Sequence, residues 1–238
     1  MLSKISRLIK LVFVACLLSG CGVFGAGQTI TIGAKTFTEQ YILSEMTFHL
    51  LEYHGYQVRQ MSNLGSNVVR TALENGQVDL AWEYTGTALV NYLGEEPIID
   101  PMQAYEKVKE IDQENGLVWM NMSDVNNTYC LIVSREVADE LNLKTISDLA
   151  AHVQNSGETF SMGTDAEFAN RPDGLPGVEE RYQFEFGANH IRQMDAGLLY
   201  EALYNEQIDV AVGFETDSRI QRYDLVILED DRSFFSAI

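Results

Sequence analysis

The sequence predicts an α/β fold in two similar lobes with a ligand cleft between them, on three observations. The stretch Leu73-Glu74-Asn75-Gly76-Gln77-Val78-Asp79-Leu80-Ala81-Trp82-Glu83-Tyr84 reads as a helix end, a Gly stop and a short apolar strand that ends in an aromatic ring. The pattern returns as Leu203-Tyr204-Asn205-Glu206-Gln207-Ile208-Asp209-Val210-Ala211-Val212-Gly213-Phe214, with Leu, Asn, Gln, Asp and Ala repeated and Phe214 in the place of Tyr84. Helix-like and strand-like stretches also alternate along the chain, as α/β architectures require. Ligands in open α/β sheets bind beyond the carboxyl ends of strands, so both rings are expected at one cleft.

The elements follow in order. Thr29-Ile30-Thr31-Ile32-Gly33 alternates and is β-branched, a first strand. A helix is expected from Thr38 to about His54, a short strand over 57–61, and a helix opening at Gly65-Ser66-Asn67 with Val68, Val69, Ala72 and Leu73 at helical spacing. After the first copy of the repeat comes a short helix through Leu93. Pro101 suits the first turn of the next helix, ending near Gly116. Asn127–Val133 reads as a strand, followed by helical segments at 135–141 and 147–153, with Ser147 as a cap. A strand over 159–163, a shaped loop over 168–177 containing Arg171, a helix over 178–186, a strand over 190–194 and a helix over 197–205 lead into the second copy. Asp224–Leu228 is a last strand. Trp82 alternates with Tyr84 and is expected in the core.

Composition narrows the function classes. The 238 residues suffice for two lobes of roughly 100 residues each, and 46% hydrophobic content supports a packed core. A net charge of −19 argues against nucleic acid and against extended contact with anionic lipid. The four histidines show no metal-ligand spacing, His49 and His54 falling off the i, i+4 pairing. With no GxSxG, P-loop or CxxC, an enzyme is not indicated. Cys130 lies in the apolar run Tyr129-Cys130-Leu131-Ile132-Val133 and is expected to be a buried structural thiol.

Residues 1–20 read as a secretory signal: Lys4, Arg7 and Lys10, a short apolar run from Leu11 to Leu18, then small residues. Leu18-Ser19-Gly20-Cys21 resembles the lipobox of bacterial lipoproteins, which implies cleavage before Cys21 and a lipid thioether on its sulfur. Residues 21–28 would then tether the folded body to the outer face of a membrane.

Ile32-Gly33-Ala34-Lys35-Thr36-Phe37-Thr38-Glu39-Gln40, Glu83-Tyr84-Thr85-Gly86-Thr87, Asn127-Thr128-Tyr129 and Asp224–Asp231 with Phe234-Phe235 resemble the substrate-binding lipoproteins of osmoprotectant ABC importers. The resemblance covers about residues 29–235. It implies a two-lobed periplasmic-binding-protein fold (type II-like) that closes on glycine betaine, proline betaine, carnitine or choline and hands it to an ABC permease, with no cofactor. It also implies an aromatic cage at Tyr84, Tyr129, Tyr200 and Phe214, with Lys35, Thr87 and Arg171 holding the ligand's carboxylate. Such a cage suits the chemistry: a trimethylammonium group has no N–H to donate, and aromatic faces offer both apolar contact and an attractive quadrupole. A carboxylate suits a Lys point charge or a bidentate Arg, so Lys35 and Arg171 together favour a betaine over choline.

Two departures qualify the resemblance. Family members usually carry tyrosine at the position of Phe214. They also usually continue for some tens of residues beyond the Phe-Phe pair, so the first lobe is expected to be incomplete at the C-terminus. The domain expectation is lobe 1 at 29–125, lobe 2 at 126–216, and 217–238 returning toward lobe 1. The rival readings are a receptor for another cationic solute, such as an amino acid, and a truncated inactive remnant.

Overall fold

The computed structural model describes residues 29–155 and 160–235. The signal segment, the tether and Cys21 lie outside these residues. Within them two sheets form. The first, of order β2-β1-β3, joins β1 (Thr29–Gly33), β2 (Gln57–Met61) and β3 (Leu80–Ala81), all parallel. Helices α1 (Thr38–Tyr53) and α2 (Ser66–Glu74) connect these strands. After β3 come the single turn α3 (Thr85–Thr87), a π-helical turn at Ala88–Tyr92, and α4 (Pro101–Glu114). Asp100 caps α4 by accepting from Gln103 N, and Pro101 fills the position where no N–H is needed.

The second sheet has the order β6-β5-β7-β4-β8 and holds the larger apolar core. Its strands are β4 (Tyr129–Ser134), β5 (Met162–Thr164), β6 (Ile191–Gln193), β7 (Val210–Phe214) and β8 (Leu225–Ile227). Around them lie α5 (Arg135–Glu140), α6 (Ile146–Asn155), α7 (Leu175–Tyr182), α8 (Ala196–Tyr204) and α9 (Arg219–Arg222). Central β4 and β7 are buried nearly throughout, which matches their unbroken apolar runs. Cys130 is buried and free, and burial raises its thiol pKa.

The internal repeat has a structural cause. Asp79 accepts from Thr31 N through Oδ2 (2.7 Å) while its own N–H donates to Thr31 O. Asp209 does the same with Ser161, at 2.7 Å and with the same return bond. Each aspartate thus clamps the entry of its strand onto the neighbouring strand. Gln77 and Gln207 close the preceding helices on Ala72 O and Ala202 O, and Val78 and Ile208 are buried beneath. The left-handed turn at Gly76 (φ 65°) recurs at Glu206 (φ 57°), where a side chain accepts the strain that glycine avoids.

Three expectations need correction. Residues 217–235 do not run back to the first sheet: β8 pairs antiparallel with β4, and Asp230 accepts from Tyr182 Oη and Phe235 N. The apolar Leu225 and Leu228 are drawn into the larger core instead. Trp82 is 38% exposed, because β3 ends at Ala81 and strand alternation no longer governs it; its indole donates to Thr47 Oγ1 at 2.9 Å. Helix α6 is capped by Thr145, whose Oγ1 accepts from Asp148 N, and Ser147 is already helical.

Candidate functional site

Both copies of the repeat deliver their rings to the gap between the sheets. Tyr84 follows β3 at the start of α3, and Phe214 ends β7. Tyr129 begins β4 directly opposite Phe214 in the antiparallel register, and their centroids are 5.0 Å apart. The ring of Phe37, at the N-cap of α1, stacks on Phe214 at 4.3 Å and 20° and lies 5.7 Å from Tyr84. The four rings border one small cavity together with Lys35, Thr87, Ser66, Asn127, Asp165 and Glu167. Its volume is about 30 Å³, against ~300 Å³ or more for a usual ligand pocket. A wider groove of about 360 Å³ lies beyond Tyr129, between Glu95–Pro97 and Phe234–Phe235; it shares Tyr129 with the small cavity but not Tyr84, Phe214, Lys35 or Thr87.

Tyr84 is held firmly. Its hydroxyl donates to Glu39 Oε1 (2.7 Å) and accepts from Gln40 Nε2 (3.1 Å), while Gln40 also donates to Trp82 O. Burial raises the pKa of Tyr84 and of Tyr129, and the Arg171 charge only partly offsets this for Tyr129. Both rings therefore remain neutral phenols at physiological pH. Glu39 reaches further, to Thr216 Oγ1 at 3.0 Å, and Thr216 is also 2.9 Å from Asn127 Oδ1. One hydroxyl proton serves one of these acceptors at a time. Among the described residues, the buried side-chain polar atom left without a hydrogen-bond partner is Asn127 Nδ2, at the cavity wall.

The cations are not free. Lys35 is buried and ion-paired with Glu83, which also accepts from Tyr92 Oη at 3.0 Å and Tyr84 N at 3.0 Å. The Lys35 ammonium lies 5.0 Å from the Tyr84 ring centroid. Arg171 stands behind the wall: it binds Asp173 through two nitrogens (2.8 and 2.6 Å), Glu167 at 3.0 Å and Thr87 Oγ1 at 3.2 Å. Burial works against the Arg171 charge, but these carboxylates outweigh it and hold its pKa above the ordinary value. The expectation that Lys35 and Arg171 favour a betaine presumed two uncompensated cations. The carboxylate that compensates Lys35 lies 48 positions away in sequence, whereas those on Arg171 lie two and four positions away.

Tyr200 does not border the cavity. It is 1% exposed beneath β7, where its hydroxyl accepts from Phe214 N (2.9 Å) and the Arg219 guanidinium covers its ring at 4.2 Å. It fixes the strand end that carries Phe214 rather than facing the cleft. Tyr200→Phe, which strands that backbone N–H, is expected to lower stability by about 1–3 kcal/mol in thermal unfolding. An unchanged melting temperature would deny Tyr200 this supporting role. The ring missed by sequence reasoning is Phe37. Its signal was an aromatic residue just after a strand end, two positions from Lys35.

Contacts across the gap tie the two halves together. Arg219 Nη2 donates to Thr38 Oγ1 (2.9 Å), Ser66 N donates to Glu167 Oε2 (3.3 Å), and the Arg171–Thr87 and Glu39–Thr216 bonds span it as well. Two α/β lobes closed over a ring-lined cleft define a periplasmic-type solute-binding protein. A family model described as the substrate-binding domain of ABC-type glycine betaine transport systems matches residues 28–238, and the chain belongs to that family. A glycine-betaine-binding protein of Pseudomonas aeruginosa is 42% identical, over 97% of this chain and 76% of its own length. The carnitine transport binding protein of Listeria monocytogenes is 40% identical over 92% of this chain and 72% of its own. A solved structure described as a glycine betaine/carnitine/choline ABC transporter aligns with TM-score 0.63 and 34% identity, covering 87% of this chain and 76% of that one.

Proposed function

We propose that this chain is an extracytoplasmic receptor that binds a small quaternary-ammonium osmoprotectant between its lobes and delivers it to the permease of an ABC importer. The observation that carries this reading is the convergence of Tyr84, Tyr129 and Phe214 on one interlobe cavity in a chain of this family. A cation that cannot donate hydrogen bonds gains ~0.5–2 kcal/mol per well-placed ring. The reading is of a binding protein and not an enzyme, exported by the 1–20 signal, anchored through lipidated Cys21 and used under osmotic stress. Among the described residues no helix is long and apolar enough to cross a membrane. Tyr200 serves as support for Phe214 in this scheme, and Arg171 as support for Thr87.

The carboxylate of a betaine would share Lys35 with Glu83, whereas the hydroxyl of choline asks only for a neutral partner such as Asn127 or Thr87. Isothermal titration of the mature chain with glycine betaine, carnitine, choline and arginine tests the class. Binding of a quaternary amine and not of arginine is expected; the reverse would establish the rival amino-acid reading. Lys35→Gln should weaken glycine betaine more than choline where the ligand's carboxylate reaches Lys35. Equal losses would confine Lys35 to its pairing with Glu83.

A further inference from the structure

We infer that Phe37 is the movable wall of the cage and sets the size of the ammonium group it admits; this rests on the quaternary-ammonium reading above. Phe37 and Phe214 come from opposite lobes and stack face to face at 4.3 Å. A methyl group held between two rings needs ~3.5–4.0 Å to each, so roughly 7–8 Å between them. One of the two rings has to give way before a trimethylammonium group can sit against Phe214.

The surroundings decide which ring moves. Phe214 is anchored: its N–H is bonded to Tyr200, its strand is paired with β4, and its ring packs against the larger core. Among the described residues, Phe37 does not pack against either buried apolar cluster. It is half-buried, extended (φ −127°, ψ 162°) at the start of α1, and the rings it meets are the two cage rings, Tyr84 and Phe214. A ring without core packing, fitted to a cage face, is best used by exchanging its stack on Phe214 for contact with the cation. Because the first lobe carries Phe37, closure stops where its ring meets the head group resting on Phe214. Head-group size and closure are thereby linked through one side chain.

The test compares glycine betaine and choline with their N-triethyl analogues by isothermal titration, in the wild type, Phe37→Ala and Phe37→Leu, with thermal unfolding of each. The wild type should prefer the trimethyl ligands. Phe37→Ala should weaken them about tenfold while the triethyl analogues hold or gain, so that the preference shrinks at least tenfold. Phe37→Leu, which keeps bulk and loses the ring, should weaken the trimethyl ligands without relaxing the size preference. Should Phe37→Ala not fold, Phe37→Val enlarges the site more gently and carries the same comparison. Equal losses for both sizes, or no change in either, would overturn the inference while leaving the cage reading intact. Failure of the wild type to bind any of the four ligands would remove the cage reading, and this inference with it.

Discussion

Tyr84→Ala should lower affinity for a quaternary-ammonium ligand by about 30- to 4,000-fold. The ring supplies one cation contact of ~0.5–2 kcal/mol and an apolar wall of ~1.5–3 kcal/mol, and each 1.4 kcal/mol is tenfold. The hydroxyl matters in another way. It joins Glu39 and Gln40, and through Glu39 reaches Thr216 on the opposite lobe, so it steadies the ring and ties it to closure. Tyr84→Phe keeps the aromatic face and should therefore lose far less affinity than Tyr84→Ala. Titration of both variants separates ring from hydroxyl. An unchanged affinity in Tyr84→Ala would place the cation elsewhere.

Asp112→Ala should be the most destabilising single substitution in the first lobe. Asp112 is fully buried and binds Arg70 through both oxygens, at 2.8 and 2.6 Å, along with Trp119 Nε1 (2.7 Å) and Asn115 Nδ2 (3.1 Å). Removing one partner of a buried pair costs about 3–5 kcal/mol, and Arg70 would keep only the partly exposed Glu74 as its counterion. Over a chain of this length that is roughly 6–20 °C in melting temperature. The damage should also reach the site. The Arg70 guanidinium lies 5.3 Å from the Tyr92 ring centroid, and Tyr92 donates to the Glu83 that pairs with Lys35.

The pH dependence of that pair has a definite sign. Burial works against the Asp112 charge, but hydrogen bonds from Arg70, Trp119 and Asn115 outweigh it and hold its pKa below the ordinary value. A carboxylate whose folded pKa is depressed stabilises fully above its unfolded pKa, about 3.9, and loses that contribution as pH falls through the folded value. Stability should therefore drop below about pH 4, and Asp112→Asn should flatten the drop. An identical acid limb in the wild type and Asp112→Asn would remove Asp112 from the account.

The parts of the fold legible in the sequence were those set by local physics. The helix-to-strand repeat announced two lobes because its Asp, Gln and small apolar residues each perform the same local task twice, a clamp on the neighbouring strand and a helix close. Tyr84 and Phe214 were legible for the same reason, since each ring follows directly from a strand end. Trp82 was misread because alternation holds only while a strand lasts, and β3 is two residues long. Tyr200 was assigned to the cage from the resemblance. Its helical stripe with Leu199 and Leu203 pointed instead to the core in which it lies.

What the sequence by itself determined is therefore the class of fold, the two strand ends that meet at the cleft and the supply of aromatic rings there. Periodicity and short-range hydrogen bonding act within a few residues, and those features depend on nothing more. Only the tertiary structure decided how charge is balanced at the site. Lys35 meets Glu83, Arg171 reaches Thr87, and Glu39 meets Thr216 across the cleft. The tertiary structure also set Phe37 against Phe214, two rings that chain order gives no reason to pair. Electrostatic and stacking partners are chosen by distance in space, and where two lobes fold over one another that distance is unrelated to separation along the chain.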